Sequence, residues 1–264
     1  MTHEFIRLGT DPRGVATLTL ARSEKHNALS AEMMTELQQA AERLAADDTV
    51  RVVVLAADGP TFCAGGDLRW MKAQREMDAA TRKTESARIA HVLGALASLP
   101  QPLIGRIQGN AFGGGVGLAS VCDVAIGVEG LKMGFTETRL GLIPANIGPY
   151  VVARMGAARA RQVFMSARIF EAEEALRLDL LTRVVPLGAL DEAVEAEVAP
   201  YLACAPGAVA DAKRLLNDLA GRVTEAQVEH AVEALARRWE TEEAAEGLSA
   251  FFDKRPASWA GGSA

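Results

Sequence analysis

Three glycines in a row, Gly113, Gly114 and Gly115, stand between an apolar run and a segment that reads as the start of a helix. A residue without a Cβ lets a ligand approach the main chain, and the first N–H groups of a helix have no intrahelical acceptor. Together they can hold a phosphate or a developing oxyanion. A second turn of this kind, Phe62-Cys-Ala-Gly-Gly-Asp-Leu68, follows an apolar run and Asp58-Gly-Pro60. If the two turns converge, one N–H from each makes a two-donor oxyanion site. Each turn also has a plainer reading. The triplet suits close helix–strand packing, and the other suits a tight turn capped by Asp67. A dinucleotide-binding turn is a third reading of the triplet, since Gly113-x-Gly115-x-Gly117 approaches GxGxxG and Glu137 lies twenty positions beyond Gly117. It fails because the last glycine of that pattern is absent and the turn lies mid-chain rather than in an opening βαβ unit.

Glu137 sits in Phe135-Thr-Glu-Thr-Arg-Leu-Gly-Leu-Ile-Pro-Ala-Asn146, beside an apolar stretch with few charges. Burial there would raise its pKa into the range of a proton shuttle. A salt bridge to Arg139 or a capping role is the alternative. Arg22-Ser-Glu-Lys-His-Asn-Ala-Leu-Ser30 offers Arg22 and Lys25 to a phosphate and Asn27 to fix a turn, although a lone basic turn is usually just solvated. The four histidines, His3, His26, His91 and His230, have neither metal nor triad spacing, and no GxSxG, HExxH or P-loop occurs.

For these residues to act together, the chain must bring several turns to one place. Residues 15–20 alternate apolar and small polar side chains, which predicts a half-buried strand. Ser30 is the expected N-cap of a helix over 31–44 with Met34, Leu37, Ala41 and Leu44 facing inward. The unbroken apolar run 52–57 predicts a fully buried parallel strand. Residues 71–85 are polar without a strong period and read as a mobile helix or lid. A helix over 87–99 and strands over 103–107 and 121–126 come next. Strands alternating with helices are the pattern of an α/β chain. Past residue 186 the strand signal ends, and 190–203, 208–220 and 224–240 read as amphipathic helices. We therefore expect a core over 1–195 and a helical region over 196–264 that packs on another subunit or covers its own core.

The 264 residues carry a net charge of −6 and a pI near 5.4, which weighs against nucleic acid as a partner. Cys63, Cys122 and Cys204 form no CxxC pair, so neither a zinc ribbon nor a disulfide framework is expected. The N-terminal residues lack a signal-peptide core, and the uncharged stretch around the glycine triplet is too short to span a bilayer. The expectation is a cytoplasmic protein without a membrane segment.

Four segments in order, Arg-x-x-Lys-x-Asn-Ala-Leu, Phe-Cys-Ala-Gly-Gly-Asp-Leu, Gly-Asn-Ala-Phe-Gly-Gly-Gly-Val-Gly-Leu-Ala-x-x-Cys-Asp and Glu-x-x-Leu-Gly-x-Ile-Pro, resemble the crotonase family, also called the enoyl-CoA hydratase/isomerase superfamily. The resemblance runs from about Val15 through Val185, and the tail also fits. It implies a spiral of ββα units with a helical C-terminal region, a trimer or hexamer, an acyl-coenzyme A substrate, and no metal or redox cofactor. The backbone N–H groups of Gly66 and Gly114 correspond to the oxyanion hole, and Glu137 to a catalytic glutamate. Ala64 matches the position whose backbone meets adenine. Lys25 and Ala28 fall near the CoA nucleotide. Asp67 and Leu68 complete the CoA-side turn, and Lys254 resembles a basic residue that reaches a neighbouring subunit's CoA.

One position departs from the pattern. The first of the family's two hydratase glutamates falls on Gly117, which leaves Glu137 alone. A single carboxylate suits either proton shuttling between Cα and Cγ, as in an isomerase, or water addition at Cβ. The wider context, from Gly-Gly-Gly-Val-Gly-Leu to Ile-Pro-Ala-x-Ile-x-Pro-Tyr-Val, resembles bacterial methylglutaconyl-CoA and isohexenylglutaconyl-CoA hydratases. These act on branched, carboxylated acyl groups. On that reading Gly117 leaves room beside the β-carbon, and Trp70, Met71 and the 71–85 segment line the acyl chain. A CoA-binding protein without efficient catalysis is the alternative of another class.

Overall fold

Short apolar runs separated by turns build two sheets in a computed structural model that describes residues 3–220 and 223–260. In chain order the elements are β1 (Ile6–Thr10), β2 (Val15–Leu20), α1 (Ala31–Ala45), β3 (Val52–Ala57), β4 (Thr61–Cys63), α2 (Leu68–Arg75), α3 (Ala79–Ala97), β5 (Leu103–Ile107), β6 (Asn110–Phe112), α4 (Gly114–Ser120), β7 (Val124–Val128), β8 (Lys132–Gly134), α5 (Gly148–Ala160), β9 (Ile169–Glu171), α6 (Ala172–Arg177), β10 (Arg183–Val185), α7 (Leu190–Leu202), α8 (Pro206–Ala220), α9 (Glu225–Trp239) and α10 (Glu242–Phe252). The larger sheet has the order β1-β2-β3-β5-β7-β10, and the smaller β4-β6-β8-β9. In the larger sheet β1 pairs antiparallel with β2, and every later pairing is parallel. In the smaller sheet β4, β6 and β8 are parallel to one another.

The topology is therefore a spiral. Each of β3, β5 and β7 enters the larger sheet and is followed within a few residues by β4, β6 or β8 in the smaller one. Helices close each turn: α2 and α3, then α4, then α5. This is the α/β spiral of ββα units with a helical C-terminal region. All six residues of β3 are buried, as its unbroken apolar run requires. Ser30 caps α1 by accepting a bond from the Met33 amide, and Met34, Leu37, Ala41 and Leu44 face inward together with Met33 and Ala40.

Two expectations are corrected, and a third, the helix or lid read over 71–85, resolves into two helices. The polar segment 71–85 belongs to two capped helices, in which Asp67 caps α2 and Asp78 caps α3. Its period was hidden because Gln74 of α2 and Arg82 of α3 occupy buried positions where an apolar residue would have marked the face. The strand expected over 121–126 begins at Val124, because Val121 still ends α4. The smaller sheet has no counterpart among the expected strands, since three-residue strands are too short for an alternation to register. In the C-terminal third, α7 runs across the 195/196 boundary. Among the described residues no helix is long and apolar enough to cross a membrane.

Candidate active site

The parallel strands β4, β6 and β8 run side by side, with Cys63 opposite Ala111 and Phe112 opposite Gly134. The segments leaving their C-terminal ends therefore emerge at the same sheet edge: the Ala64–Asp67 turn, the glycine triplet and Glu137. Two backbone conformations make this possible. Gly65 has φ 93 and Gly113 has φ 49, both in the region that favours glycine. A Cβ on Gly65 would lie 2.9 Å from the Phe112 carbonyl oxygen and 3.7 Å from the Gly114 nitrogen, so the two turns are in contact.

Hydrogen bonding then leaves two donors over. Leu29 donates to the Gly65 carbonyl at 2.8 Å, and Asp67 donates to the Leu29 carbonyl at 3.0 Å. The Gly66 N–H, lying between them, points to the other side. Gly114 opens α4 after Gly113, whose own N–H donates to the Gly134 carbonyl at 3.0 Å. Among the described residues, neither the Gly66 nor the Gly114 N–H meets an acceptor. Both line a cavity of about 530 Å³ that also takes in Ala64, Leu68, Trp70, Met71 and Glu137.

Glu137 begins a single 3-10 turn after β8. Its Oε1 lies 2.9 Å from where a Cβ on Gly113 would sit, which places the carboxyl one residue from the Gly114 donor. Its Oε2 is fully enclosed and has no partner among the described residues. The residue as a whole is half-buried, because part of it faces the cavity. Burial raises its pKa to about 7, against a smaller opposing effect of its own main-chain N–H. No salt bridge joins it to Arg139 among the described residues.

Behind the first turn, Arg22 and Asp67 form a nearly buried ion pair at 2.7 Å. Burial pushes the Asp67 pKa up, but its bonds from Arg22 and from the Trp70 and Arg69 amides outweigh that, and the net shift is downward. Asn27 is fully buried in the left-handed region, with φ 53. It accepts from the Arg22 N–H at 2.9 Å and donates to the Asp58 and Thr61 carbonyls at 2.9 and 2.8 Å. Asn27→Ala should therefore destabilise the protein by about 3 kcal/mol, since it orphans buried backbone groups and places Ala at a positive φ. Thermal or urea unfolding reads this, and an unchanged midpoint would contradict it.

A profile described as "Enoyl-CoA hydratase/isomerase" matches residues 10–262. The chain belongs to the enoyl-CoA hydratase/isomerase family. The mitochondrial methylglutaconyl-CoA hydratase of Mus musculus is 33% identical over 96% of this chain and 82% of its own. An enoyl-CoA hydratase structure from Shewanella pealeana superposes with TM-score 0.80 at 35% identity, covering 97% of this chain and 96% of that one. Pseudomonas aeruginosa AtuE superposes with TM-score 0.80 at 35% identity over 97% and 100%.

Within this enoyl-CoA hydratase/isomerase fold, the structure brings Gly66, Gly114, Glu137, Ala64 and Leu68 to one cavity. Lys25, Ala28 and Lys254 do not line it. Lys25 ends a 3-10 turn over Ser23–Lys25, the Ala28 carbonyl accepts from Arg22 at 3.1 Å, and Lys254 follows α10. The Asp67 carboxylate faces Arg22 and caps α2, so its side chain is spent inside the protein. The space expected beside Gly117 is absent. A Cβ there would lie 2.7 Å from Ile147 Cγ2 and 2.9 Å from Leu93 Cδ1. Apolar side chains thus fill the place of the family's first glutamate, and among the described residues Glu137 is the only carboxylate on the cavity wall.

Proposed function

We propose that the protein is an enoyl-CoA hydratase that adds water across the α,β double bond of an acyl-CoA thioester with Glu137 as its sole acid/base. The supporting observation is the enclosed Glu137 carboxyl beside two unused glycine N–H groups in one cavity. With the thioester oxygen between Gly66 and Gly114, electron density is drawn from Cβ and the enolate is stabilised as it forms. Glu137 takes a proton from water as its oxygen adds to Cβ, then returns that proton to Cα. One carboxylate serves both steps because a pKa of about 7 leaves both of its forms accessible at neutral pH. Coenzyme A enters as part of the substrate, and the chemistry calls on no metal or redox group.

The branched, carboxylated acyl group of methylglutaconyl-CoA is the favoured substrate class. Its support is the relative of that name and the sequence context of Gly117. A second reading, double-bond isomerisation, is favoured by the solitary carboxylate, which can carry a proton from one carbon to another. A panel of enoyl-CoA thioesters assayed for both hydration and double-bond migration separates the two. Turnover of none of them would leave a non-catalytic CoA-binding role.

The pH dependence follows from the raised pKa. Hydration begins with the ionised carboxylate, so kcat/KM should rise with pH through an apparent pKa near 7. A profile that is flat from pH 5 to 9 would remove Glu137 as the base.

The assembly is proposed to be a homotrimer or a hexamer of two such rings. No residue of α8 with described burial is buried, and Leu215, Leu216 and Leu219 are 57%, 66% and 75% exposed. A helix with such a bare apolar row is expected to pack on another copy. Light scattering at micromolar concentration should give three or six chains, and a stable monomer would refute it.

A further inference from the structure

The turn that carries Glu137 has little of its own to hold it. Glu137–Leu140 is a four-residue 3-10 turn with no side-chain cap at its start and no buried residue. Turns of this kind have poor hydrogen-bond geometry. The main-chain bonds that close this one run from Arg139 to Thr136, from Gly141 to Thr138 and from Leu142 to Glu137, at 3.2, 3.2 and 3.1 Å, the long end of the usual range. The Thr138 hydroxyl adds one bond, to the Met165 carbonyl at 3.2 Å. Phe135 before the turn and Ile147 after it belong to the main core, but Leu140, Leu142, Ile143 and Ala145 between them do not.

The C-terminal helix pair meets the turn instead. Leu142 and Ala145 pack with Leu235 and Trp239 of α9 and with Ala244 and Leu248 of α10 in a cluster of their own. The main chain of α10 lies directly on that of the turn. A Cβ on Gly247 would sit 2.5 Å from the Leu140 carbonyl carbon and 2.6 Å from its oxygen, and a Cβ on Gly141 would sit 2.3 Å from the Glu243 carbonyl oxygen. Two glycines thus let two backbones touch, and Gly141 also ends the turn at φ 69. Arg238, in the last turn of α9, joins the pieces. Its Nε donates to the Gly141 carbonyl while its Nη2 pairs with Glu243 in the first turn of α10. The pair with Glu243 by itself would only link α9 to α10. The bond to Gly141 extends that link to the turn of Glu137.

We infer, on the reading of Glu137 as the proton carrier, that α9 and α10 brace the turn that carries it, with Arg238 and Gly247 as positioning residues for its carboxyl. A reacting group displaced by about 1 Å can lose on the order of 10²-fold in rate. The Gly66 and Gly114 donors stand on other segments, which neither Arg238 nor Gly247 touches. Loosening the brace should therefore reach turnover and spare thioester binding.

The test compares full-length Gly247→Ala and Arg238→Leu with wild type and with Arg237→Leu. Arg237 is exposed on the same turn of α9 and pairs only with Glu233 among the described residues. Gly247→Ala drives a methyl group into the Leu140 main chain, and Arg238→Leu removes the link to Gly141. Each should lower kcat by about tenfold to a hundredfold, with KM and the calorimetric affinity for unreactive butyryl-CoA near wild type. Hydrogen exchange read by mass spectrometry should quicken over 137–142 in both and stay unchanged over 113–115. Arg237→Leu should behave as wild type. An unchanged kcat, or unchanged exchange over 137–142, overturns the brace. So does a loss of butyryl-CoA binding in step with kcat, which marks a general loosening of the site. If Gly247→Ala does not fold, Arg238→Leu decides by the same criteria. If the wild type turns over no enoyl-CoA, the hydratase reading fails and exchange alone decides the brace: faster exchange over 137–142 sustains it, and unchanged exchange defeats it.

Discussion

Glu137→Gln should retain CoA-thioester binding and lose on the order of 10²–10⁴-fold in kcat, the usual contribution of a general acid/base. The amide keeps the shape of the carboxyl but cannot take up and return a proton. The same substitution should make the protein more stable at high pH. In the unfolded chain the carboxyl titrates near 4.5, and in the fold near 7. Between these values the folded state holds a proton that the unfolded state has released, so stability falls as pH rises through that window and is level above it. Above pH 7 the ionised, enclosed carboxylate costs at most about 3 kcal/mol, and Gln removes that cost. Steady-state kinetics beside melting curves at pH 5 and pH 8 read both effects. Near-normal turnover in Glu137→Gln would exclude this residue as the proton carrier. A Tm unchanged from wild type at pH 8 would show that the carboxyl is better solvated than its surroundings indicate. The opposite signs of the two effects suit a residue kept for chemistry at some expense in stability.

Gly117→Glu should unfold or severely destabilise the protein rather than restore a second catalytic carboxylate. The first atom of the new side chain already lies 2.7 Å from Ile147 and 2.9 Å from Leu93. Overpacking of this kind costs about 1–3 kcal/mol. An unpaired carboxyl buried among apolar groups adds a similar or larger amount. At about 2–4 °C per kcal/mol for a chain of this size, the melting temperature should drop by roughly 10 °C. Combining the change with Ile147→Ala should recover part of the loss, because it clears the nearer contact. If a second carboxyl beside Cβ is all that ordinary enoyl-CoA hydration lacks, only the double variant should gain activity toward short unbranched substrates. A Gly117→Glu protein that melts like wild type would mean that Ile147 and Leu93 move aside freely.

The crowding at Gly117 marks how far local sequence carries. The motif assigned Gly117 a place beside Glu137, and the missing carboxylate could be read directly. Whether its absence left a hole was decided by Ile147, thirty residues away in sequence, and by Leu93 on α3. Asp67 shows the same division. Its type and position suited both a ligand-facing turn and an N-cap. In the fold Arg22, which arrives from the loop after β2, engages the carboxylate at 2.7 Å while the same side chain caps α2.

The residues alone determined the strong elements, because their signals are periodic and local. The apolar run of β3, the Ser30 cap and inward face of α1, and the helical pattern past residue 186 all belong to this class. So does the family, since glycines at turns of fixed order cannot be exchanged without losing the backbone they permit. Tertiary structure decided what depends on elements remote in sequence. Three-residue strands carry no period, yet the parallel pairing of β4, β6 and β8 brings two glycine turns and Glu137 to one edge. Glu137 is shifted toward neutrality by enclosure that the chain acquires only on folding. Gln74, Asn146 and Trp239 are unremarkable in sequence, and only folding sets each of them against Arg82 or Ser86 of α3. Burial and the loss of hydrogen-bond partners are properties of the packed chain, and they are what separate a site from a motif.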